Sequence, residues 1–109
     1  MSGEATTMAK VIRDGKVAVL YSPHFGSGWF TWNAGHPGCL FDPDIVALVE
    51  RGASGKEIAA VAEAKYPHFY AGGANDLRIK WLPEGTPFRV DEYDGNESIV
   101  TSDELIQVA

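Results

Sequence analysis

The chain of 109 residues has a single cysteine, Cys39, so no internal disulfide can staple it. It has no apolar run near the roughly 20 residues of a membrane helix, and no basic start leading into an apolar segment. The cytosol is therefore the expected compartment. Positive charge is nearly missing from the last quarter: from Glu84 onward seven acids stand against Arg89 alone, giving the whole net charge of −6, while residues 1–83 carry eight acids and eight bases. A chain of that balance is a poor ligand for phosphate backbones, so direct nucleic-acid binding is not expected. No GxxxxGK[ST] and no six-residue dinucleotide fingerprint occurs, which removes the two commonest phosphate-binding loops. Repeats and low-complexity segments are absent as well.

What is present suits one soluble domain, with 45% apolar and 22% charged residues. MSGEATT reads as a polar tail with Met8 as an alternative start, which leaves 1–9 as a flexible tail and 10–109 as the folded domain. Two β-branched runs joined by Asp14-Gly15 predict a hairpin, since both turn residues need positive φ. Asp42-Pro43 opens a helix that Gly52 closes. Ser54-Gly-Lys-Glu57 is a capping-box pattern for a second helix running to about Tyr66 and stopped by Pro67. Leu77–Leu82 alternates apolar with basic as a half-exposed strand does, and Phe88–Tyr93 and Glu97–Thr101 flank a turn at Asp94-Gly95-Asn96. Thr101–Glu104 can cap a final helical turn, or Leu105–Val108 can finish as a strand. The order ββ-αα-βββ predicts an α+β domain, a mainly antiparallel sheet with a helix pair on one face.

The stretch SPHFGSGWFTWNAGHPGC, residues 22–39, concentrates glycines, prolines, rings, two histidines and the cysteine. Phe25, Trp29, Phe30 and Trp32 cannot all enter one small core from one loop, so some of these rings should line a surface or groove. Trp29 or Trp32 would serve as a stacking platform, with His24, Phe25, Ser27 and Asn33 around it and Arg78 and Lys80 as the nearest bases. The acidic hairpin offers a second surface through Asp91, Tyr93, Asp94 and Glu97. His36-x-x-Cys39 is the only close ligand pair, too little for a structural zinc site. A Cys39 nucleophile with a His36 base needs a meeting of side chains that spacing does not supply. Neither metal nor cofactor is expected.

KVAVLYSPHFGSGWFTWN, LFDPDIVALVE and KYPHFYAGGANDLRIKWLPEGTPFRVDEYDGNESI resemble a group of short proteins of bacteriophage and prophage genomes, from about Lys10 to the C-terminus, most recognisably in GSGWFTWN and FRVDEYDGNESI. The resemblance implies a small accessory protein made in an infected bacterium. The expectation is a binding protein rather than an enzyme, one that counters a host defence by holding a nucleotide-like small ligand or blocking a host protein through the glycine and aromatic loop. An acidic inhibitor filling a basic nucleic-acid-binding groove, and a small hydrolase using His36 and Cys39, are the alternatives. Exposed rings on so small a chain also suggest a homo-oligomer.

Overall fold

A computed structural model describes residues 9–101 and 107–108. Strands β1 (Ile12–Arg13) and β2 (Lys16–Tyr21) lead through a long loop and a short 3-10 turn (Pro37–Leu40) to helices α1 (Pro43–Arg51) and α2 (Gly55–Lys65). A second 3-10 turn (Ala74–Asp76) precedes β3 (Arg78–Pro83), β4 (Pro87–Tyr93), β5 (Asn96–Val100) and β6 (Gln107–Val108). The fold is α+β, and every strand pairing is antiparallel. Among the described residues no helix is long and apolar enough to cross a membrane.

The turns and caps follow from local chemistry. Asp14 and Gly15 take φ of 52° and 76°, and Asp94 and Gly95 take 53° and 86°, the paired positive values of a two-residue hairpin turn. Asn96 therefore belongs to the strand, paired with Tyr93, rather than to the turn. Asp42 accepts from the amides of Asp44 and Ile45, and Gly52 closes α1 in the left-handed region. Ser54 accepts from the Glu57 amide. The expected reciprocal half of that capping box gives way to a surface ion pair, because the Glu57 carboxylate accepts from Arg51 instead. The cap expected at Thr101–Glu104 lies, beyond Thr101, outside the described residues, while Gln107 and Val108 pair with Phe88 and Pro87 as a strand.

The sheet is not one continuous layer. Strands order as β1-β2-β3 in one sheet and β5-β4-β6 in another. Strand β2 lies between two cores, and its residues Val17 to Leu20 are all fully buried. Ala18 and Leu20 face α1 and α2 with Ile45, Val46, Ile58 and Ala62, whereas Val17 and Val19 face Leu40, Phe41, Leu82 and Phe88 on the side of the second sheet. An unbroken apolar run is what a strand covered on both faces requires. The helix pair thus covers one face of the first sheet, and the second sheet lies against the other.

Candidate functional site

The loop after β2 is anchored from far away in the chain. Glu97, on β5, is 1% exposed. Its Oε1 accepts from the Ser22 amide at 3.0 Å, and its Oε2 accepts from the amides of Trp29 at 2.9 Å and Thr31 at 2.8 Å and from the Thr31 hydroxyl at 2.6 Å. No cation among the described residues pairs with this carboxylate; hydrogen bonds from neutral donors hold its charge. The Glu97 amide in turn donates to Ser22 O at 2.9 Å, and Gly26 N donates to Asp94 O at 2.6 Å. These bonds stitch residues 22–31 to the tip of the β4–β5 hairpin.

Four sequence-selected residues consequently become structure rather than surface. Trp29 is fully buried, donates its indole N–H to Cys39 O at 2.8 Å and meets Phe69 edge-on at 4.9 Å, so it is not a stacking platform. Asn33, 6% exposed, clamps two loops, donating to the carbonyls of Trp29 and Tyr70 and accepting from Tyr70 N at 2.8 Å. Ser27 is buried and donates to Asp76 at 3.2 Å. Glu97, expected on an acidic face, is the interior anchor.

Phe30 is partly buried and packs against both cores, whereas Phe25 and Trp32 stay outside, around the hairpin tip. Phe25 is 57% exposed and meets Tyr93, 76% exposed, edge-on at 6.0 Å. Trp32 and Tyr70, 40% and 41% exposed, lie 5.0 Å apart on a second flank. Gly26 joins the two pairs, bonded through its amide to Asp94 and through its carbonyl to the Tyr70 hydroxyl at 3.2 Å. Glu92 accepts from both the Gly95 amide at 2.7 Å and the Trp32 indole N–H at 3.3 Å, which fixes the ring against the tip. Two glycines permit this closeness: a Cβ on Gly28 would stand 2.4 Å from the Trp32 ring, and one on Gly95, at φ +86°, would stand 2.7 Å from Ser27 N. Between them the two ring pairs present roughly 400 Å² of surface, taking about 200 Å² for a whole aromatic side chain.

Other expected residues fall elsewhere. His24 is exposed, with Nδ1 2.9 Å from Phe25 O and 3.8 Å from the Asp76 carboxylate. Tyr93 and Asp94 are exposed at the tip, whereas Asp91 pairs with Arg89 on its own strand. Arg78 and Lys80 are exposed on β3, opposite Tyr21 and Val19 in register, and no described contact brings either to the rings. Tyr70, Glu92 and Asp76 were not singled out from the sequence. A signal existed in HFYAGGAND, a second glycine-containing loop rich in rings. Residues 97 and 99 share a strand face, so the apolar Ile99, which packs partly buried against the second core, was a weak signal that Glu97 points inward.

The hydrolase pairing does not form. Cys39 is fully buried, and burial, reinforced by the charges of Glu97 and Asp42, pushes its thiol up to about 12, so the thiolate needed for attack is absent at neutral pH. His36 Nε2 donates to Pro67 O at 2.8 Å while its ring lies against Tyr66 and Phe69. A cavity of about 390 Å³ occurs away from the loop, lined by Arg13, Asp14, Lys16, Glu50 and Trp81. There the Arg13 guanidinium lies over Trp81 at 5.4 Å and pairs with Glu50. Among the described residues no group of three or more His, Cys, Asp or Glu side chains converges as a metal site would. No protein-family model, no curated protein and no solved structure matches the chain.

Proposed function

We propose that this is a binding protein that docks on another protein through the rings around its hairpin tip, as a phage-type accessory protein that blocks a host protein in the bacterial cytosol. The observation carrying this reading is the division of labour between the loop after β2 and the segments bonded to it. Trp29, Asn33 and Glu97 are buried and bonded, and they hold Phe25, Trp32, Tyr70 and Tyr93 exposed in fixed pairs. Exposed aromatic side chains that are already ordered lose little conformational entropy on binding, and they are the residue types that dominate protein interfaces. The resemblance of GSGWFTWN and FRVDEYDGNESI to phage proteins supports the host setting, and both motifs contribute to this surface.

The test is capture from bacterial lysate followed by binding measurements with the purified partner. Phe25→Ala combined with Tyr93→Ala should weaken that complex at least about tenfold, with the thermal midpoint close to the wild type because both rings are exposed. A partner that binds the double variant as tightly as the wild type would remove this surface from the function.

A further inference from the structure

We infer that the partner segment received at this surface is cationic, an arginine- or lysine-bearing stretch of protein; the inference rests on the docking role proposed above. The segments that build the surface, residues 22–36, 66–77 and 91–97, contain no lysine and no arginine. They do contain Asp76, Asp91, Glu92, Asp94 and Glu97. Glu97 is spent inside on backbone amides, and Asp91 is matched by Arg89. Asp76, Glu92 and Asp94 remain among the rings. The bonds that Asp76 and Glu92 accept, from the Ser27 hydroxyl and from the Gly95 and Trp32 N–H groups, orient their carboxylates; Asp76 also has His24 Nδ1 at 3.8 Å, which leaves Glu92 and Asp94 as the carboxylates here with no basic side chain paired to them among the described residues. Arg13, Arg51 and Lys65, by contrast, pair with carboxylates outside these segments.

Rings beside uncancelled carboxylates favour one chemistry. A guanidinium or ammonium group can lie over an aromatic face and donate to a neighbouring carboxylate, and arginine does both with one planar group. A wholly apolar partner would bury Glu92 and Asp94 without counter-charge, which opposes the gain from covering the rings. A phosphate-rich partner would be repelled.

The probe is a blocked hexa-arginine peptide titrated into 15N-labelled protein at about 50 mM salt, where charge is weakly screened, with blocked hexaglutamate as the control. The reporters are the Trp32 indole N–H and the Gly95 amide. Asp94→Asn removes one charge at a residue with φ +53°, a conformation asparagine tolerates. Glu63→Gln removes the same charge from the exposed face of α2. Hexa-arginine should shift both reporters and hexaglutamate neither. Asp94→Asn should weaken peptide binding about threefold and Glu63→Gln should leave it unchanged, while about 500 mM salt should weaken it about tenfold. Shifts confined to other regions, or equal affinity for wild type and Asp94→Asn, overturn the inference. If Phe25→Ala with Tyr93→Ala abolishes partner binding while Asp94→Asn leaves it intact, the docking role stands and the cationic partner falls. If the ring variant binds the partner normally, the docking role itself fails and takes the inference with it.

Discussion

Among the described residues two carboxylates, Asp42 and Glu97, are almost completely buried, and they are satisfied in opposite ways. Asp42 begins α1, where it accepts from the amides of Asp44 and Ile45, from Lys65 at about 3 Å, and from the Tyr66 hydroxyl. Burial works against its ionised form, but the bonds from Tyr66, Lys65 and Ile45 win and hold its pKa below the ordinary carboxylate value. Burial, together with the same contact, pushes the Tyr66 hydroxyl well above its ordinary range. Glu97 has no such cation among the described residues and accepts from Ser22, Trp29 and Thr31, residues 66 to 75 positions away. The first arrangement pins a helix end to its neighbour. The second organises an irregular loop, leaving its outer rings exposed. A buried anion paired with a cation makes a closed, self-sufficient corner, whereas one satisfied by backbone amides shapes the chain around itself.

The contrast is broken most severely inside the loop. Trp29→Ala should cost about 4 kcal/mol, as large-to-small changes at buried tryptophans do, while Trp32→Ala, at a 40% exposed position, should cost under about 1 kcal/mol. Urea titrations of the two variants measure both; equal costs would contradict the inside-outside division. Glu97→Gln comes next, at about 3 kcal/mol, because in either orientation the amide turns its N–H₂ toward a backbone N–H of Ser22, Trp29 or Thr31, which can only donate. Its near-ultraviolet circular dichroism should also lose the signal of the ordered tryptophans. A midpoint unchanged from wild type would mean that the loop holds itself.

Asp42→Asn is the milder counterpart, at about 2 kcal/mol near neutral pH, since asparagine keeps the cap and loses the charged bonds. Here the sign with pH is fixed. The folded pKa is depressed below the unfolded value of about 3.9, so the contribution is complete above that value and is lost as pH falls through the folded pKa. Thermal midpoints of wild type and Asp42→Asn should therefore converge as pH drops from about 5 toward 2; a gap that stays constant would show that the charge of Asp42 contributes nothing.

The same contrast explains what could be read from the residues alone. Asp42, Pro43 and Gly52 announce a helix because a cap is a bond between near neighbours, and Asp14-Gly15 and Asp94-Gly95 announce hairpins for the same reason. The glycine and aromatic stretch was recognisable as a place of interest, and the prediction that some of its rings reach the surface agrees with Phe25 and Trp32. Which rings turn inward was not legible, because the choice is made by Glu97 and Asn33 through partners distant in sequence. Trp29 and Trp32 are chemically identical and three residues apart; only the amide bonded to Glu97 and the indole bonded to Cys39 O place the former inside. The division into two sheets was likewise hidden. The unbroken apolar run Val17 to Leu20 suits a strand covered on both faces, but the run alone does not say that a second sheet is what covers the face away from the helices.

The long span between Glu97 and the loop it holds also has a consequence for synthesis. A ribosome delivers Phe25, Trp29 and Trp32 many residues before Glu97, and loop-closing contacts of such separation form late. The nascent chain therefore carries the ring-bearing sequence for most of its translation without the ordered ring pairs, and the surface comes into being only after the hairpin tip has left the exit tunnel. Truncated products that end between Tyr93 and Glu97 would carry all four rings without the carboxylate that bonds the Ser22, Trp29 and Thr31 amides.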